Sequence, residues 1–194
     1  MIILDIETKP QASLVELFSR GIKAPKTYKD PAKIKEYIEN KKAGSKKGMS
    51  VDTDYADILC VGVYDTELNG GTAYVVEPDQ LPEILEKEQM VVTFNGKKFD
   101  IPLIIKYGIK HGLDLPYARL KLMMKRYDNS RHIDLMEELG QGNFRSLDEY
   151  LQIYLGISKK PIDFETASDE EIKEHCMEDI VNTYKLYKKF SKLF

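Results

Sequence analysis

The sequence predicts an α/β domain built on a mixed β-sheet. Three observations carry this expectation: an apolar run at the start of the chain, two strand-like runs joined by an Asn-Gly-Gly turn, and a helix-spaced segment leading into another apolar strand. "MIILDI" (1–6) reads as a buried strand. Side chains alternate along a strand, so Asp5 and Glu7 in "LDIET" project from the same face. "DILCVGVYD" and "GTAYVVEP" read as strands two and three, and the Asn-Gly-Gly between them favours a hairpin. Strands one to three are therefore expected to form an antiparallel meander. In "PDQLPEILEKE" Leu81, Ile84 and Leu85 recur at helical spacing behind Asp79, the expected cap. That helix would act as a crossover, delivering "MVVTFN" parallel to the first strand.

Downstream, "FDIPLIIKYGIKHG" predicts a helix from about Asp100 to Gly108 or Gly112, and "HIDLMEEL" a short strand passing into a helix. In "SLDEYLQIYLG", Ser146 with Glu149 forms a capping box and Gly156 a stop. A long final helix is expected over roughly Asp169 to Phe190, with apolar positions Ile172, Met177, Ile180, Val181, Tyr184, Leu186 and Tyr187. Residues 11 to about 55 stand apart as an insertion within a single domain spanning 1–194. Helices are expected near Ala12–Ser19 and at Pro31–Lys42, the second opened by Asp30–Pro31 and stopped by Gly44 and Gly48. "AGSKKGMS" reads as a flexible connection.

With 194 residues, 42% hydrophobic and 31% charged, the chain can build one substantial core. No apolar run approaches the ~20 residues of a membrane span, so no membrane association is expected. The start of the chain lacks the pattern of a secretory signal, and the two cysteines, Cys60 and Cys176, are too few for a disulfide framework or zinc cluster. A reducing, cytoplasmic setting is the expectation. The net charge of −3 conceals a segregation. From Arg20 to Lys47 ten basic residues stand against Asp30, Glu36 and Glu39, a local charge of +7 that leaves −10 for the remainder. This suits a basic element on a phosphate backbone beside an acidic pocket for cations; the alternative is a solvated lysine-rich surface.

The acidic residues carry the chemistry. Asp5 and Glu7 on the first strand, Asp100 in "FNGKKFD" at a strand-to-helix junction, and Asp179 in "HCMEDIVNTY" can meet only through folding. Taken singly, Asp5 and Glu7 could be a surface pair and Asp100 a helix cap. His175 precedes Asp179 by four residues, so both share one helix face. Phosphodiester hydrolysis needs a nucleophilic water, relief of charge on the phosphoryl oxygens and help for the departing oxygen. Two divalent ions about 3.5–4 Å apart supply all three, and hard ions such as Mg²⁺ or Mn²⁺ prefer a carboxylate cage without cysteines.

In this order, "LDIET", "FNGKKFDIPLI", "HIDLM", "SLDEYLQIYLGI" and "HCMEDIVNTYKLY" resemble the DnaQ-like 3'-5' exonucleases of the ribonuclease H-like fold. Within them they are most similar to predicted exonucleases related to the proofreading domain of family B DNA polymerases. The resemblance covers nearly the whole chain except the basic insertion. It implies that Asp5, Glu7 and Asp179 hold the ion that activates water, that Asp5 bridges to a second ion, and that Asp100 anchors that second ion through water. It also implies Thr8 near the terminal 3' hydroxyl, with Asn95 and Phe99 against the terminal nucleotides. Members with this four-residue offset usually carry tyrosine where this chain has His175, and members with histidine usually place it five residues ahead. Retained activity with a shifted pH dependence is the expectation.

The resulting expectation is a Mg²⁺- or Mn²⁺-dependent enzyme that removes 5' mononucleotides from the 3' end of single-stranded DNA. An exoribonuclease or oligoribonuclease, an endonuclease and a catalytically silent nucleic-acid-binding module remain open. The basic insertion is expected to act as a lid over the incoming strand. Asp134 is expected to brace the site or cap a helix, and His132 and His111 to be exposed or locally bonded. "GSKKG" lacks the Gly-Lys-Ser/Thr ending of a phosphate loop. Lys97, Lys98 and the stretch Arg119, Lys121, Lys125, Arg126 and Arg131 could follow a strand's backbone or be ordinary surface.

Overall fold

In the first strand, β1 (Ile2–Pro10), the consecutive residues Ile2, Ile3 and Leu4 are all buried, so both faces are covered, as a central strand of an α/β sheet requires. The other strands are β2 (Ala56–Asp65), β3 (Thr72–Val76), β4 (Val91–Thr93) and β5 (His132–Asp134). Among the described residues they form one sheet in the order β3-β2-β1-β4-β5. The computed structural model describes residues 1–87, 89–164 and 166–194. β4 runs parallel to β1, with Ile2 opposite Val91, and β5 parallel to β4; β2 and β3 are antiparallel. Thr66, just after β2, donates its N–H to the Met1 carbonyl at 3.1 Å, while Gln11 donates to Tyr55, just before β2, at 3.0 Å. β1 and β2 therefore run in opposite directions, and the meander and parallel crossover are as the sequence predicts.

The chain divides into two compact units, residues 1–7 with 58–194, and residues 8–57. The second holds α1 (Val15–Arg20), preceded by a 3-10 turn at Ala12–Leu14, then α2 (Pro31–Ala43) and α3 (Ser45–Ser50). Asp30 caps α2, its side chain accepting from the Ala32 N–H at 2.9 Å. The expected flexible connection at 43–50 is instead α3. Met49 on it is fully buried, and Gly48 lets the Phe18 ring approach to where a Cβ would stand 3.3 Å from its Cζ. Phe18 in turn meets Tyr55 edge-on at 4.9 Å, so apolar packing overrides the local turn propensity of the Gly-Ser-Lys stretch.

In the larger unit the crossover helix is α4 (Leu81–Glu86). The reciprocal cap just before it is Glu77 with Gln80, not Asp79, which lies inside the 3-10 turn at Pro78–Gln80. Glu88, at the end of the stretch read as helical, lies outside the described residues. α5 (Asp100–His111) stops at Gly112 and α6 (Tyr117–Met123) follows. α6 is not among the helices the sequence predicts, because its buried stripe is only two residues, Leu120 and Met123, one turn apart in a basic segment. α7 (Leu135–Gly140), α8 (Leu147–Leu155) and α9 (Asp169–Phe190) complete the unit, α8 with the expected Ser146/Glu149 capping box.

α9 covers a core of Ile3, Val92, Ile133, Leu135, Tyr150, Leu151, Ile180 and Leu186. Its buried face also carries Cys176, Asp179, Asn182 and Thr183, while Met177, expected inward, is 36% exposed. β2 admits this helix closely at Gly62, where a Cβ would stand 2.7 Å from Cys176 Sγ and 2.9 Å from Ile180 Cγ2. Any larger residue there would push α9, and with it Asp179, away from the sheet. Among the described residues no helix is long and apolar enough to cross a membrane.

Candidate active site

Three elements and one loop converge. β1 supplies Asp5 and Glu7; α9 supplies His175 and Asp179, with His175 Nε2 3.6 Å from Asp179 Oδ2; Asp100 opens α5. The loop after α8 supplies Lys159, whose ammonium pairs with Asp179 Oδ2. That loop is anchored where the Lys159 N–H donates to Asp148 Oδ1 at 2.8 Å. One ligand atom each from Glu7, His175 and Asp179 lie within 4.8 Å of one another, and so do those of Asp5, Glu7 and Cys176. Asp100 is 3% exposed and within the field of Asp5. The structure thus brings together all five residues whose spacing suggested chemistry.

Burial dominates the electrostatics, and crowding of like charges adds to it. Burial, then the Asp179 charge, push the Asp5 carboxyl up to about 7, with Lys159 opposing. Burial followed by Asp5 and Asp179 push Glu7 up to about 9, and burial followed by Asp5 hold Asp100 well above the usual carboxylate range. Burial lowers the His175 imidazole against the pull of Asp179, and the ring is packed edge-on by Phe164 at 5.6 Å. A cleft of about 590 Å³, lined in part by Lys160, Thr166, Glu174 and Glu178, opens onto His175 and gives water access to it.

This donor set fits divalent cations. Asp179 Oδ1 is buried and has no hydrogen-bond partner among the described residues, a deficit that a bound cation would remove. The Cys176 thiol hydrogen-bonds Cys60; that bond and burial hold its pKa far above the ordinary thiol value, so it stays protonated beside the carboxylates. The available ligands are therefore hard oxygens with one imidazole, a set suited to Mg²⁺ or Mn²⁺.

The remaining expected residues divide. The Thr8 hydroxyl donates to the Ser50 carbonyl at 2.7 Å. Asn95 adopts φ 70° and lines a small cleft with Lys98, Arg126 and Phe144, and Phe99 is half-buried immediately before α5. Asp134 braces this turn, accepting from the backbone N–H groups of Asn95 at 2.8 Å and Lys97 at 3.0 Å, and it caps α7 through Met136 at 3.1 Å. His132 is buried between Thr93 Oγ1 at 2.8 Å and the Met123 carbonyl at 2.9 Å. His111 stacks on Tyr107 at 4.1 Å.

The basic residues left open between a strand's backbone and ordinary surface divide. Lys97 is buried in an ion pair with Glu137 at 2.7 Å, and Arg126 also reaches Glu137 at 3.4 Å. Arg119 binds the carbonyls of Leu85, Lys87 and Gln89 and ties off the end of α4. Lys97 and Arg119 serve the fold, whereas Arg126 stays largely exposed beside Asn95. Conversely, sequence reading missed Lys159: "SKKPID" carries no motif, and only tertiary contact with Asp179 distinguishes it from its neighbour Lys160.

The sheet order, with its antiparallel and parallel pairs flanked by helices, is that of a ribonuclease H-like α/β fold. A comparison with curated proteins gives no match. The model of one family, described as predicted 3'-5' exonuclease related to the exonuclease domain of PolB, matches residues 79–194, well over half of the chain and inclusive of Asp100, Lys159, His175 and Asp179. By the fold, the converging carboxylates and this match, the chain belongs to the family of predicted 3'-5' exonucleases related to the exonuclease domain of PolB.

Proposed function

We propose that the protein is a metal-dependent exonuclease that shortens single-stranded DNA from its 3' end, releasing 5' mononucleotides. The observation that carries this reading is the clustering of Asp5, Glu7 and Asp179, with Asp100 in the field of Asp5, beside a buried Asp179 oxygen that has no hydrogen-bond donor among the described residues. Two divalent cations held by these four carboxylates would neutralise the phosphoryl oxygens and acidify an attacking water. His175, kept neutral near pH 7 by its lowered pKa, would accept that water's proton. Phe164 and Asp179 hold the ring from two sides. Lys159 brings a positive charge to the same carboxylates and can lend it to a phosphodiester bound there. Asp134 fixes the turn at Asn95, which with Phe99 would meet the terminal nucleotides.

The test is degradation of 5'-labelled DNA and RNA strands of matched sequence, with Mn²⁺ and with chelator. Stepwise shortening of the DNA from its 3' end is expected with metal alone, abolished by Asp5→Ala or Asp179→Ala with circular dichroism unchanged. Full activity in either variant, or in chelator, would defeat the proposal; faster loss of the RNA would transfer it to ribonucleotide substrates.

A further inference from the structure

Residues 8–57 form a compact unit of their own, inserted in the chain directly after Glu7, and they lie outside the 79–194 segment covered by the family match. Its ten basic residues between Arg20 and Lys47 are all exposed. Among the described residues only two of them pair with a carboxylate, Arg20 with Glu16 at 2.6 Å and Lys35 with Glu39 at 3.9 Å. The other eight are exposed with no carboxylate partner among the described residues, a density of positive charge that attracts a polyanion. α2 presents Lys33, Lys35, Lys41 and Lys42 outward, whereas its apolar Ile34 and Ile38 are half-buried. Beside them Tyr28, 41% exposed, meets Tyr37 edge-on at 5.6 Å, and the Lys41 ammonium lies 5.8 Å from the Tyr37 ring.

Exposed lysines interleaved with a half-open tyrosine match a single nucleic-acid strand, which offers both phosphates and unstacked bases. A duplex would leave Tyr28 no base face. A lipid surface would need apolar side chains turned outward from α2, and Ile34 and Ile38 are not fully exposed.

We infer that the 8–57 unit is a second nucleic-acid-binding element. Its lysines on α2 and on 46–47 hold the backbone of a single strand, and Tyr28 stacks on a base. The inference rests on the exonuclease reading for its substrate and adds a strand-holding surface outside the acidic cluster.

The test uses the full chain in chelator, so that binding is read without hydrolysis. Affinity for a fluorescein-labelled oligothymidylate of about twenty nucleotides is followed by anisotropy as salt is raised. Replacing Lys33, Lys35, Lys41 and Lys42 with Gln should weaken binding at least tenfold and flatten the salt slope by about 2–3, at ~0.7 per lost phosphate contact. Tyr28→Ala should weaken binding about tenfold with the salt slope unchanged. A control replaces the exposed Lys121, Lys188, Lys189 and Lys192 with Gln, carries the same net charge and should bind almost as the wild type does.

Unchanged affinity and slope in the α2 variant would overturn the inference. So would equal loss in the control, or wild-type binding to phosphatidylserine vesicles with no affinity for the strand. Adding Mn²⁺ separates the two readings. Strand binding with no 3' shortening sinks the exonuclease and leaves this element standing; shortening with unaltered binding in the α2 variant does the reverse.

Discussion

The crowded carboxylates should make the metal-free protein less stable as pH rises. Glu7 ionises near its ordinary value of 4.5 in the unfolded chain but only at about 9 when folded. Between those limits the folded state holds a proton that the unfolded state has released. Stability then falls by about 1.4 kcal/mol per pH unit for each such proton. Asp5, raised to about 7, adds the same sign below pH 7. The buried histidines act oppositely, because their lowered values make stability rise with pH up to about 6.5. The window from pH 7 to 9 therefore lies above the histidines and Asp5 and reads Glu7, with Asp100, also held well above the usual carboxylate range, adding the same sign. Two pH units correspond to about 3 kcal/mol, or a fall in melting temperature of roughly 6–12 °C for a chain of this size. Thermal unfolding in chelator at pH 7, 8 and 9 measures it, with Glu7→Gln expected to flatten the slope and Mn²⁺ to remove most of it. A melting temperature that is constant or rises across that window in chelator would refute the reasoning about crowding at β1 and α9.

Three further outcomes follow from named contacts. Lys97→Met, which leaves Glu137 buried opposite an apolar group, should lower stability by about 3–5 kcal/mol and leave the salt dependence of strand binding untouched; a stable variant with weakened binding would return Lys97 to the substrate path. Lys159→Met removes the cation competing for Asp179 and should tighten Mn²⁺ binding about tenfold by calorimetry, so unaltered affinity would contradict its place as counter-charge. His175→Tyr should retain activity but lose the acidic limb that imidazole protonation imposes below pH 6.5. An unchanged pH–rate profile would remove His175 from proton transfer.

Much of the fold is legible locally. Apolar runs, the Asn-Gly-Gly turn and the Ser146 capping box each depend on neighbours within a few residues, and the strands and α8 follow them. α3 departs from the expected flexible connection because its helicity depends on the burial of Met49 and the Gly48–Phe18 contact, which no local window contains. α6 is not legible locally because its buried stripe, Leu120 and Met123, is too short to set a helical period among basic residues.

In the candidate site, the four carboxylates and His175 stand out in sequence as a joint pattern: strand alternation pairs Asp5 with Glu7, helical spacing pairs His175 with Asp179, and Asp100 sits at a strand-to-helix junction, in the order of the family the motifs resemble. Which cations stand beside them is not. Lys97 and Lys159 are both lysines in polar loops or turns; packing buries one against Glu137 and turns the other to Asp179. The identity of the acidic residues was therefore determined by sequence alone. Their crowding, their displaced ionisation and the choice of counter-charge were decided by tertiary structure, because Coulomb interaction and desolvation depend on separations across the fold rather than along the chain.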